Sequence, residues 1–131
     1  MLLLANLIVS LPVVGTPSSE TARLNTFLDE VFEAELERSP MRQARLGIRD
    51  AYDRWDDRSD EHAREGLALT LDALFEMRAE FDPSKLDAQG KLSFQLFELR
   101  CQREIERWPW RWHRYPVHQM YGPHTEIPTF L

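Results

Sequence analysis

"SDEHAREGLALTLDALFEMRAEFDPSKLDAQGKLSFQLFELRCQREIER", residues 59–107, decides the fold, because two helical periods meet in it at one proline. Ser59 is a helix cap, and Asp60 and Glu61 follow in the first turn, where free backbone amides favour negative charge. Leu67, Leu71, Leu74, Phe75 and Phe81 supply the expected buried stripe of this first helix. Pro83 stops it at "FDPS", since proline lacks an N–H and its ring clashes with the preceding turn. Asp87 can cap a second helix, along which Leu92, Leu96, Leu99 and Ile105, flanked by Phe97 and Cys101, build another apolar face. Two long helices joined by so short a connection are expected to pack as an antiparallel hairpin.

The same period extends toward the N-terminus. From Thr21 to Arg38, residues Leu24, Phe27, Leu28, Val31, Phe32 and Leu36 recur at three and four, while Glu30, Glu33 and Glu37 lie largely opposite. Ser39 and Pro40 read as a cap and first residue of a short helix ending at Gly47. The following "IRDAYDRWDDRSDEH" has six acids and little apolar period, so a loop is expected there. Asp50, Asp53, Asp56 and Asp57 lack the alternation and central glycine of a calcium loop. Solvated carboxylates pairing with Arg49, Arg54 and Arg58 are the simpler reading. Beyond Pro109, the prolines Pro116, Pro123 and Pro128 with Gly122 favour extended and turn backbone across a surface. No strand alternation or internal repeat is evident. The fold class is all-α: amphipathic helices, a helical hairpin and an extended Pro-rich C-terminal segment.

Composition bounds the function. A chain of 131 residues, 43% hydrophobic and 29% charged, suits one globular domain. Its net charge of -6 repels phosphate polymers and anionic lipid heads, so nucleic acid is not an expected partner. Cys101 is the single cysteine, which excludes an internal disulfide and a Cys-rich zinc site; a small buried apolar residue is its plainest role. "MLLLANLIVSLPVVG" is too short to span a membrane and suits the apolar part of a secretory signal, although no basic residue precedes it. Residues 1–18 are therefore read as a signal peptide or apolar leader and 19–131 as the helical domain. The expected location is exported or periplasmic if the leader is a signal, and cytoplasmic otherwise. No stable membrane anchor is expected.

The chain holds no HExxH, glycine-rich phosphate loop or nucleophile elbow. His113, His118 and His124 are spaced by five and six, which matches neither a helical ligand pair nor a zinc finger. No catalytic, cofactor or metal residue is assigned. The one conspicuous cluster is "RWPWRWHRY", residues 107–115. Its strip Trp108, Trp110, Trp112 and Tyr115 is the candidate interface, because exposed aromatics mark contact surfaces. Binding to membranes or single strands through Arg107, Arg111 and Arg114 is disfavoured by Glu104, Glu106 and the overall negative charge.

The ordered set "LNTFLDEVFEAELERSPMRQARLGI", "RDAYDRWDDRS", "LDAQGKLSFQLFELRCQREIE" and "YPVHQMYGPHTEIPTFL" resembles the N-terminal part of bacterial proteins grouped as domain of unknown function 885. The resemblance covers roughly residues 24 to 131. It implies the N-terminal part of a larger, exported, mostly helical protein similar to zinc-dependent metallopeptidases, whose HExxH helix lies beyond residue 131. No catalytic residue of that kind carries over to this chain, and zinc is implied only for the longer relatives. The expected partner is then the remaining C-terminal part of the same protein, with this chain as a non-catalytic helical layer. The alternative is a free-standing helical module that docks a protein partner through the aromatic strip.

Overall fold

The computed structural model describes residues 18–113, 115, 117–120 and 122–130, and every regular element among them is helical. The order is α1 (Ser19–Glu37), α2 (Pro40–Arg45), α3 (Asp60–Glu80), α4 (Ala88–Arg107) and α5 (Pro123–Phe130), with 3-10 turns at Pro83–Lys85 and Trp108–His113. The apolar leader lies outside the described residues, Ser18 excepted. The all-α class holds.

Side-chain caps begin the three long helices. Thr21 N–H donates to Ser18 Oγ, His62 N–H to Ser59 Oγ, and Gly90 N–H to an Asp87 carboxylate oxygen, each satisfying an amide the helix cannot pair itself. Ser39, expected to cap α2, makes no side-chain cap. Instead Met41 N–H in that first turn donates to Asp56 of the acidic loop, 2.9 Å away. Gly47 closes α2 at φ +83°, and Ile48 N–H reaches back to the Gln43 carbonyl, a left-handed ending that glycine accommodates best.

The core joins α1, α3 and α4 through Leu24, Phe27, Leu74, Met77, Phe81, Phe94, Phe97 and Cys101. Phe27 sits at its centre, with ring centroids 5.6 Å from Phe81 and 6.3 Å from Phe97. The leucines of α4 are not part of it. Gly90, Phe94, Phe97 and Cys101 form the buried face, whereas Leu92, Leu96 and Leu99 are exposed at 48%, 56% and 41%. In α3, Leu74 is buried as expected, but Phe75 is 64% exposed, and Thr70, Ala73 and Met77 fill the inner face. The physical reason is steric: aromatic rings fill the gaps between three helices, so helical spacing alone cannot decide between two apolar faces of one helix.

Where α1 and α4 begin, their caps interlock. Ser18 N–H donates to Asp87 Oδ2, and Asp87 N–H donates to Thr21 Oγ1, across 69 and 66 residues of chain. The donated hydrogen bonds from Gly90 and Ser18 hold the Asp87 carboxyl below its ordinary pKa of 3.8. Arg78 pairs with Glu98 to tie α3 to α4.

The C-terminal segment departs from the extended expectation. Trp108–His113 winds as a 3-10 turn, and Pro123–Phe130 is helical. Pro123 opens α5, where its missing N–H costs nothing, and Thr125 N–H and Oγ1 both bond the Gly122 carbonyl. Proline there starts a helix rather than preventing one.

Candidate functional site

Beyond the core, residues of α1, α2, α3 and α4 line an open groove of about 510 Å³. Its floor is apolar, with Val31, Ala73, Phe97 and Cys101, and small residues Ala34, Ala63 and Gly66 keep its walls low. Cys101 is fully buried at that floor, and burial pushes its thiol pKa up, which keeps it a neutral packing group.

Three arginine-centred clusters fix the rim. Arg38, just past α1, donates to the His62 carbonyl at 2.8 Å and to Glu65 at 3.3 Å, and its Nη2 lies 3.1 Å from His62 Nδ1. A guanidinium only donates, so in this contact Nδ1 is the acceptor. Glu35 receives Arg100 from α4, and Arg42 from α2 approaches the same carboxylate at 3.8 Å. Arg111 forms the third cluster, against Trp108, which lines the groove. It donates from Nε to Asp60 at 3.0 Å and stacks 4.3 Å from the Trp108 ring and 5.3 Å from Trp112. The Arg111 hydrogen bond holds the Asp60 carboxyl below its ordinary pKa of 3.8.

The candidate strip is thus divided. Trp108 and Trp112 sandwich Arg111, and Trp108 also lines the groove. Trp110 instead meets His113 edge-on, with centroids 5.2 Å apart. Trp110, Trp112 and Tyr115 are exposed, Tyr115 at 89%. Among the cations of "RWPWRWHRY", Arg111 is engaged inside the protein, and Arg114 lies outside the described residues. His118 Nδ1 accepts from Met120 N–H, an ordinary loop contact.

In the acidic loop, Asp56 accepts from Met41 N–H and Asp57 from Ser59 N–H; the latter lowers the Asp57 pKa. These two acids hold backbone at the starts of α2 and α3. Among the described residues no group of three or more His, Cys, Asp or Glu could hold a metal ion, and no helix is long and apolar enough to cross a membrane.

The residues that spacing missed are the rim pairs and the second face of α4. Arg38 and His62 are 24 positions apart, and Arg100 and Glu35 are 65 apart, so no local signal joins them. The leucines of α4 were visible, but their side of the helix was not.

Neither the curated proteins nor the solved structures contain a match to this chain. A family model described as bacterial protein of unknown function (DUF885) matches residues 40–131, from the first residue of α2 through α5 and well over half of the chain. With its helical architecture and this match together, the chain belongs to the DUF885 family of bacterial proteins of unknown function.

Proposed function

We propose that this chain is the non-catalytic N-terminal helical part of an exported, zinc-dependent peptidase-like protein. The observation that carries the reading is α4, which is apolar on two opposite faces. Gly90, Phe94, Phe97 and Cys101 pack inward, while Leu92, Leu96 and Leu99 face outward. Leucines exposed along one line of a helix mark a surface that makes contacts. A catalytic remainder is our reading of what covers it, because proteins of this family resemble zinc-dependent metallopeptidases. In that chemistry zinc activates a water for attack on a peptide carbonyl. This chain contributes no zinc ligand in the reading and no catalytic step; its groove and aromatic turn form a wall beside the catalytic part.

The test is the genomic sequence beyond codon 131. An HExxH helix encoded there, in or out of frame, is expected, and the longer polypeptide should bind zinc and cleave peptides. An unrelated gene with no such remnant would contradict the reading. Export is tested on its own by fractionating cells and sequencing the amino terminus: a periplasmic form that begins near Gly15 is expected, and an intact cytoplasmic chain would contradict it.

A free-standing interaction module is the second reading, favoured by the exposure of Trp110, Trp112 and Tyr115. It predicts that replacing those three with serine leaves folding intact and removes binding to a partner. The peptidase reading does not require that loss.

A further inference from the structure

Ser18 is where the chain enters the described structure, and its place there is fixed: Ser18 N–H donates to Asp87, the cap of α4, at 3.1 Å. Residues 1–17 therefore leave the fold from the beginning of α4. α1 starts at that same point, and farther along Arg100 pairs with Glu35, so α1 and α4 run side by side in one direction. A hollow of about 350 Å³ lies between them on the outer side, lined by the half-buried Leu28 and Phe32 of α1 and by Leu96 of α4. Leu92 and Leu99, exposed in line with Leu96, extend the apolar surface along α4. The edges carry both signs, since Asp29, Arg100, Arg103 and Glu104 are all exposed there. Charge thus favours neither an acidic nor a basic occupant, whereas an uncharged one leaves all four groups in water.

We infer that in the intact chain the apolar leader itself fills this hollow, residues 2–11 lying there as a fourth helix antiparallel to α1 and α4. Leu4, Leu7, Ile8 and Leu11 recur at three and four, which gathers them on one face, with Asn6 and Ser10 off it. No side chain before Glu20 is charged, as the mixed edges of the hollow require. Pro12, Gly15 and Pro17 put the reversal of the chain between residues 12 and 17. Residues 2–11 span about 15 Å as a helix, and Leu92 to Leu99 about 10 Å, so the segment covers the leucine line once it turns back. A short connection favours an antiparallel neighbour, and a fourth helix completes a bundle with α1, α3 and α4. A cut near Gly15 would remove the whole segment and bare the leucines. That release, which hands the face to the remainder of the polypeptide, rests on the reading above; the seating of the intact leader does not.

The test uses the intact 131-residue chain, with Met1 confirmed by mass. Leu96→Cys on α4 and Phe75→Cys on α3, both exposed positions, are alkylated separately with iodoacetamide, while the buried Cys101 stays protected in each. Leu96→Cys should react roughly fivefold more slowly, and adding Leu7→Asp/Ile8→Asp should bring the two rates together. Fivefold is about 1 kcal/mol, so the three-helix core does not depend on the seated leader. A short bis-maleimide should join Leu7→Cys to Leu96→Cys within one molecule, and should not join Leu7→Cys to Phe75→Cys. Equal alkylation of Leu96→Cys and Phe75→Cys, a Leu96→Cys rate unmoved by the leader aspartates, or cross-links that form only between two chains overturns the inference. Where a leader variant alters the circular dichroism spectrum, the cross-link decides. A failed cross-link beside an HExxH helix in the downstream sequence would remove the seated leader and leave the peptidase reading intact; a formed cross-link beside an unrelated downstream gene would do the reverse.

Discussion

Gly90 lies so close to Thr21 that a Cβ built on it would stand 2.4 Å from the Thr21 hydroxyl oxygen. Glycine inside a helix usually costs about 1 kcal/mol relative to alanine. Here the sign should invert: Gly90→Ala should lower the thermal midpoint, because Thr21 is itself fully buried and hydrogen-bonded to Asp87 N–H. A rise in the midpoint would contradict the close approach. The sequence offered only a glycine three residues after a capping aspartate, and the contact that explains it lies in α1. Arg111 teaches the same lesson. Its place among tryptophans suggested a cationic peptide, yet Asp60, 51 positions away, and two indole faces hold it. Arg111→Ala should raise the Asp60 pKa toward 3.8, measured by carboxyl NMR titration, and should increase iodide quenching of tryptophan fluorescence. An unchanged Asp60 titration would mean that the pair does not form in solution.

At the scale of the elements, the caps and stops were the most legible features, since they depend on neighbours within one turn. Ser59, Asp87 and Pro83 do what their positions announce. Faces were less legible, because a face is defined by what packs against it. Leu92, Leu96 and Leu99 satisfy helical spacing as well as Phe94, Phe97 and Cys101 do, and only the third helix distinguishes the sets. The caps also predict an acid response. Asp57, Asp60, Asp82 and Asp87 all have folded-state pKa values lowered from 3.8. A depressed carboxyl stabilises the fold fully above its unfolded pKa, and the stabilisation is lost as pH falls through the lower folded value. Urea midpoints should therefore hold between pH 7 and 5 and fall below about pH 4. Asp87→Asn should weaken that acid-dependent drop more than Asp82→Asn, because Asp87 binds both Gly90 and Ser18 amides. Equal pH profiles for the two variants would contradict the interlocked caps.

For the whole molecule, the all-α class was legible from one period, and the candidate site only in outline. The aromatic strip announced itself in sequence, but the groove is lined by residues of four helices far apart in the chain, which no local pattern encodes. Pro123 illustrates the limit in the opposite sense, since a residue read as a sign of extended chain starts α5. The proposed function rests on the exposed leucines of α4, which lie opposite its buried face. That account rests on which face of α4 is the core. The direct measurement is urea denaturation of Leu92→Ser/Leu96→Ser/Leu99→Ser beside Phe97→Ala. The triple variant should keep a cooperative transition with its midpoint nearly unchanged, while Phe97→Ala should lose about 3–5 kcal/mol. Unfolding of the triple variant, with Phe97→Ala tolerated, would contradict the assignment.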